Sequence, residues 1–295
     1  MTLSEMRRWM EARDHRVTKS LGQNFLHDRN QLNRIAEAAQ VTAGDRVLEI
    51  GPGLGPLTAH LLERGAEVTA VEIDERLVAV LRDRFSQHPH FNLFHADALE
   101  WIRDHRSNPN LPTTTPAAVS PESLTSLGNS WKVASNLPYS TGSPMLVELA
   151  SVDFPPHRIA ATLQWEVVQR IGSRPRESSY GLLTLLLGLR YRCAGHFKIP
   201  ARCFFPEPGV TSACVTLIRR DSPLLPRPLE GTFARVVKRA FSQRRKMMKN
   251  LLKQDWPEES LSAALTQAGI PATARAEEID LDRFAHLAQL LHSRT

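Results

Sequence analysis

Val47-Leu48-Glu49-Ile50-Gly51-Pro52-Gly53-Leu54-Gly55 is the stretch whose reading decides the fold. Val47, Leu48 and Ile50 make a short apolar run of the length of a buried strand, and it breaks into glycines at alternate positions. Glycine there permits backbone angles that other residues avoid, and it lets a ligand lie against bare main chain. Leu57, Leu61 and Leu62 follow at helical spacing. Strand, glycine turn, helix is half of a nucleotide-binding unit. A glycine turn also occurs as a purely structural device, so the ligand must be argued from the rest of the chain.

Outward from this unit, Arg46 to Ile50 is expected as one strand and Glu67 to Ile73 as the next. Leu77, Val78, Leu81 and Phe85 make a helical face between that strand and a third, Phe91 to Phe94. Trp131 to Ala134 is expected as a fourth strand running into Asn136, Arg158 to Leu163 as a fifth, and Val215 to Ile218 as a late one. Before the first strand, Leu32, Ile35, Ala36 and Ala39 share a helical face. This alternation predicts an α/β chain with a parallel, doubly wound sheet. Between about residues 105 and 130 the periodicity fails among prolines, serines and threonines, which reads as a flexible insertion. Pro223, Pro226 and Pro228 mark a linker, beyond which the patterns are helical. The expected division is residues 1–221 for the sheet domain and 222–295 for a small all-helical one.

Composition narrows the partners. The chain has 295 residues and a net charge of +6, which suits an anionic partner such as nucleic acid. Its three cysteines, Cys193, Cys203 and Cys214, are odd in number and lack C-x-x-C spacing. A disulfide framework and a zinc site are therefore not expected, and a reducing cytoplasm is the natural setting. The apolar run around Leu182 to Leu189 is too short to span a membrane, and nothing in the N-terminal residues resembles a secretory signal.

The ligand class follows from the loop. A dinucleotide fingerprint needs Gly-x-Gly-x-x-Gly, but Pro56 stands in the third slot and the extra glycine is Gly55. With Glu49 two residues ahead, the pattern resembles the S-adenosylmethionine (SAM) loop of Rossmann-like methyltransferases. Glu72, at the end of the next strand, offers a carboxylate to both ribose hydroxyls. Asp97, after the third strand, can accept from the adenine amine of SAM, with the Ala98 main chain nearby. Asn136-Leu137-Pro138-Tyr139 follows the fourth strand. An exocyclic adenine amine is a poor nucleophile because its lone pair is delocalised into the ring. Two acceptors, the Asn136 side-chain oxygen and the Pro138 carbonyl, would pin its hydrogens and aim the lone pair at a sulfonium methyl. Tyr139 would stack on the base.

Further motifs join these: Gln23-Asn24-Phe25-Leu26, Val71-Glu72-Ile73-Asp74, Gln164-Trp165-Glu166-Val167, Phe204-Phe205-Pro206-Glu207-Pro208, Phe241-Ser242-Gln243-Arg244-Arg245-Lys246 and Arg275-Ala276-Glu277-Glu278-Ile279. In this order they resemble the rRNA adenine N6,N6-dimethyltransferase family, and the late elements resemble its small-subunit (16S-type) branch. The resemblance implies dimethylation of two adjacent adenosines in the 3′-terminal hairpin loop of small-subunit rRNA, inside the immature subunit, by a cytoplasmic monomer that uses SAM and no metal. It implies that Asn24 and Leu26 close over SAM and that Gly51, Gly53, Glu72, Asp97, Ala98 and Asn136 line its site. Asn136, Pro138 and Tyr139 would serve the target base, and Phe204 would supply a second aromatic face. Two departures stand out: Ser140-Thr141-Gly142 replaces the usual Asn-Ile-Ser/Thr, and Trp165 stands where a lysine is usual.

Thr232 to Lys253 carries basic residues and no acidic ones. Ser242 reads as a helix N-cap, which would set Arg244 and Arg245 in a first turn where the helix dipole favours a bound phosphate. Arg244, Arg245, Lys246 and Lys249 are thus the expected RNA contacts. A DNA adenine methyltransferase would carry an Asp-Pro-Pro-Tyr-like tetrad, and a non-catalytic assembly factor would not need Asn136 beside Glu72.

Overall fold

In a computed structural model of the chain, residues 3–12, 23–108 and 131–293 are described. The insertion expected at 105–130 lies outside them except for residues 105–108. The chain divides into two units, Met1–Val168 with Cys193–Arg219, and Gln169–Arg192 with Arg220–Thr295.

The first unit is built on a seven-stranded sheet. Its strands are β2 (Arg46–Ile50), β3 (Glu67–Glu72), β4 (Phe91–His95), β5 (Trp131–Asn136), β6 (Arg158–Gln164), β7 (Tyr191–Ile199) and β9 (Ser212–Arg219). β1 (Phe25–Leu26) and β8 (Phe204–Phe205) pair separately, antiparallel, with Leu26 opposite Phe204. The sheet order is β4-β3-β2-β5-β6-β9-β7; the first five strands run parallel, and β9 is antiparallel to β6. β2 is flanked by β3 and β5, in register from Arg46 opposite both Glu67 and Trp131. A strand covered on both faces is largely apolar, and Val47, Leu48 and Ile50 are all buried, with Glu49 the buried exception. From β2 the chain builds outward through β3 and β4, then returns to the other side of β2 to start again at β5. That reversal opens a crevice beyond the carboxyl ends of β2 and β5.

Helices at Arg29–Ala38, Pro56–Glu63 and Glu75–Phe85 supply Ile35, Ala36, Leu61, Leu62 and Leu81 to a core that also holds Val47, Val68, Ala134 and Ala160. Gly142, at the start of helix Gly142–Ser151, sits where an added Cβ would collide with the Leu163 side chain and come within 3.3 Å of Leu137. A larger residue there would force the Leu163 side chain to move and press on Leu137.

The helical unit has its own core. Phe233, Val236, Val237 and Ala240 of helix Arg227–Ala240 pack with Leu261 and Leu265 of helix Glu258–Gln267 and Phe284, Leu287 and Leu291 of helix Leu281–His292. Tyr180, Leu185 and Leu189 belong to the same core, and the Tyr180 hydroxyl donates to the Ile279 carbonyl at 2.8 Å. The division drawn from sequence at 221/222 needs correction on this point: residues 169–192 belong to the second unit, because their apolar side chains are buried there. Strand β7 was not foreseen. It is the last strand of the sheet, and its exposed Arg192, Cys193, Ala194, His196 and Lys198 leave no apolar run to read.

Candidate functional site

The glycine loop forms the floor of the crevice. Its turn is held by the Gly51 N–H to the Val71 carbonyl and the Gly55 N–H to the Pro52 carbonyl, both 2.9 Å. Gly53 has φ +61°, and a Cβ there would lie 2.7 Å from the Phe25 ring, so bare backbone is needed on both counts. Its N–H donates to Glu72 Oε2 at 3.1 Å, while Glu72 Oε1 accepts from the N–H groups of Ile73 and Asp74 at 3.0 Å each. Glu72 is 5% exposed. Burial pushes its carboxyl up from the ordinary range, and the three backbone donors pull the other way. The strand end and the glycine loop therefore hold one carboxylate in a fixed pose.

Glu49, on the neighbouring strand, is buried and accepts from the Thr58 hydroxyl at 2.7 Å. Burial, helped by the charge of Glu72, pushes its carboxyl up to about 8. Asp97 caps helix Ala98–Asp104, its Oδ1 accepting from the Leu99 and Glu100 N–H groups at 2.7 and 3.2 Å. Only one of its carboxylate oxygens is engaged in this way. Ile73 is 47% exposed and lines the crevice between Glu72 and Asp97, an apolar face open to a ligand.

Across the crevice, the Asn136 Nδ2 donates to the Asn24 carbonyl at 2.8 Å. A carbonyl only accepts, so the amide nitrogen must be the atom that faces it, and the Oδ1 must point the other way. That oxygen is buried and has no hydrogen-bond partner. Tyr139 is half-buried, and its hydroxyl shares a hydrogen bond with Ser212 of β9. Burial raises its phenol above the usual range. The tie fixes the ring while leaving Tyr139 among the crevice-lining residues.

The crevice thus gathers Asn24, Leu26, Gly51, Gly53 and Glu72 with Asp97, Ala98, Asn136, Pro138 and Tyr139. Two expectations are corrected. The Pro138 carbonyl is already used: it accepts from the Gly142 N–H at 2.8 Å and from that of Thr141 at 3.3 Å, closing the turn into the following helix. No donor reaches the carbonyl of Leu137, its crevice-lining neighbour, among the described residues. Phe204 is 1% exposed, packed in the sheet core, and does not line the crevice. Side chains alternate along a strand, so pairing with Leu26 turns Phe204 into the sheet core, while the half-buried Phe205 faces the other way, packed against Met6, Phe25 and Leu54, with the Arg7 guanidinium 5.4 Å from its ring centroid. Ser212 and the Phe25 contact with Gly53 were missed by sequence reasoning; Ser212 is 73 residues from Tyr139, and no local pattern marks it.

In the helical unit, no helix starts at Ser242. Helix Arg227–Ala240 ends just before it, with Phe241 as its C-cap, and the Ser242 hydroxyl donates back to the Arg239 carbonyl at 2.8 Å. The next helix is Met248–Leu252, so Arg244 and Arg245 sit in a turn and the dipole argument for them does not apply. Arg244 is tied to Glu277 at 3.2 Å and to the Ser178 carbonyl at 2.8 Å, and Lys249 lies 3.4 Å from Glu258. Arg245 and Lys246 are exposed and have no ion-pair partner among the described residues.

With this geometry in view, likeness to known proteins becomes informative. A ribosomal RNA small subunit methyltransferase A from Listeria innocua serovar 6a is 35% identical over 283 residues, which is 92% of this chain and 90% of that protein. The crystal structure of the 23S rRNA methyltransferase ErmE aligns with a TM-score of 0.63 at 27% identity, covering 91% of this chain and 100% of that one. A dimethyladenosine transferase from Plasmodium falciparum aligns with a TM-score of 0.71 over 92% of this chain and 98% of its own; at 21% identity it shows the shared fold. Residues 14–293 match the ribosomal RNA adenine dimethylase family, and by that match this methyltransferase chain belongs to it.

Proposed function

We propose that the chain uses SAM to dimethylate N6 of two adjacent adenosines in the 3′-terminal hairpin loop of small-subunit (16S) rRNA. The observation that carries this reading is the buried, unpartnered Oδ1 of Asn136, aimed by the bond from its amide nitrogen to Asn24. A buried acceptor left without a donor is costly, roughly 1–3 kcal/mol, so its persistence points to a ligand that donates.

The crevice suits SAM. Glu72, held by three backbone N–H groups, can take both ribose hydroxyls; Asp97 can accept from the adenine amine, beside the Ala98 main chain; Ile73 gives the adenine an apolar face. Gly51 and Gly53 let the methionine portion lie on the main chain, with Asn24 and Leu26 above it. Bound SAM would supply a methyl carbon made electrophilic by its sulfonium. Asn136 Oδ1 and the free Leu137 carbonyl would accept the two hydrogens of the target amine, with Tyr139 stacked on the base. The amine lone pair would then form the N–C bond as the C–S bond of SAM breaks with its electron pair going to sulfur, and the amine proton would leave to solvent. Alignment and polarisation do the work, and no strong base is required. A second round on the mono-methylated nitrogen has one hydrogen left to anchor, and one acceptor is then enough.

The substrate would be met as part of the immature small subunit, by a monomer in the cytoplasm. The three free thiols, two of them buried, suit a reducing compartment. The test is tritiated SAM with immature small subunits. Label recovered in dimethyladenosine supports the reading, whereas binding without label would make the chain an assembly factor and sink it.

A further inference from the structure

Trp165 begins the helix that leaves β6, on the same carboxyl edge of the sheet as the crevice. Its N–H donates to the Thr211 carbonyl at 2.8 Å, which fixes the backbone beneath the indole. The residue before it, Gln164, pairs with Ser212, and Ser212 holds the Tyr139 hydroxyl. The indole is half-buried, with open area left over. His196 lies against it with ring centroids 5.0 Å apart, and the Lys198 ammonium is 4.5 Å from the ring centre. His196 and Lys198 are both exposed and alternate along β7, so they share a face, while Phe197 between them turns away to meet the Arg34 guanidinium at 3.9 Å. An aromatic face, a second ring beside it and a cation over it are not needed to bury the sheet.

We propose that Trp165, His196 and Lys198 form a stacking platform for a nucleotide flanking the target adenosine, with the Lys198 ammonium on its phosphate. Base stacking on an aromatic ring tolerates any base, and a lysine beside the ring supplies the counter-charge that single-stranded RNA needs. The lysine–indole contact is weak at an exposed site, so the ammonium can be drawn to a phosphate without disturbing the fold. Gln164, next to Trp165 in the chain, pairs with Ser212, and Ser212 binds the crevice-lining Tyr139, so the platform is linked through one strand pair to the residue proposed to stack on the target base. It would hold the strand in line while the target base is turned in. This inference rests on the reading of that crevice as the adenine-methylating site.

The test uses the full chain and a fluorescein-labelled, unstructured RNA of about ten nucleotides, a length in the range of single-strand sites, read by anisotropy. Trp165→Ala should weaken binding by at least about fivefold, and Trp165→Phe should recover most of it. Lys198→Ala should lower the slope of log affinity against log salt by about 0.7, the loss of one phosphate contact. SAM affinity should not change in any variant. RNA affinity of Trp165→Ala equal to that of the unaltered chain, with an unchanged salt slope for Lys198→Ala, overturns the platform. Parallel labelling of immature small subunits separates the two readings. An unaltered chain that fails to methylate, yet loses RNA affinity through Trp165→Ala, keeps the platform and defeats the methylation reading. One that methylates and shows no platform effect does the reverse.

Discussion

Two carboxyl groups on adjacent strands show how environment assigns roles. Glu72 has three backbone donors and stays available to a ligand, while Glu49 has Thr58 and little else. Glu49 is held in the folded protein at about 8, far above its ordinary 4.5, chiefly by burial. Between those values the folded state carries more protons at this site than the unfolded chain. Stability from Glu49 is therefore present below about pH 4.5 and is lost as pH rises toward 8. Replacing it by Gln should flatten the fall in unfolding free energy between about pH 5 and pH 8, by up to roughly 1.4 kcal/mol per pH unit where the slope is steepest. Urea unfolding of both proteins across that range is the check. Parallel slopes would mean that Glu49 ionises normally. The sequence placed Glu49 ahead of the glycine loop and Glu72 at the end of the next strand, but it could not show that burial raises both carboxyls. That rise comes from burial in the fold, offset in part by the Thr58 hydroxyl at Glu49 and by three backbone N–H donors at Glu72.

Whole elements were legible where burial is two-sided. β2 runs over the expected Arg46–Ile50, and β3, β5 and β6 fall within a residue or two of expectation, because covered parallel strands are near-continuous apolar runs; β4, at the edge of the sheet and partly exposed, was legible from its aromatic and apolar residues. β7 was not legible, since an edge strand with exposed polar residues carries no such run. Ser242 misled for a related reason: a serine between two apolar faces can cap the helix after it or the helix before it, and its hydroxyl goes to Arg239. The Pro138 carbonyl was misassigned because a tetrapeptide does not reveal which of its carbonyls starts the following helix. That helix also explains one departure from the family pattern. Gly142 lies against Leu137 and Leu163, so Gly142→Ala should cost about 1–3 kcal/mol through overpacking and shift the strand that carries Asn136. Denaturant unfolding measures the cost, and a change under about 0.5 kcal/mol would show that the contact relaxes freely.

At the scale of the whole molecule, a sheet with the crevice proposed for methyl transfer is joined in one chain to a helical unit with basic surface. The net charge of +6 suits RNA, but only part of the expected basic cluster is free to meet it. Arg244 and Lys249 are tied within the helical unit, whereas Arg245 and Lys246 are open. Arg245→Glu with Lys246→Glu should weaken rRNA binding and reduce its salt dependence, with SAM affinity and unfolding free energy unchanged; RNA binding that is also unchanged would move the contact elsewhere. Sheet, loop and basic surface are all asked to serve one geometry, an adenine amine held by the free oxygen of Asn136. The direct measurement is Asn136→Ala, with methyl transfer to immature subunits and SAM affinity by calorimetry determined on the same preparation. Turnover should fall at least about a hundredfold while SAM affinity stays within about threefold, the pattern of an interaction spent on the reacting amine. Turnover near that of the unaltered chain would contradict the account.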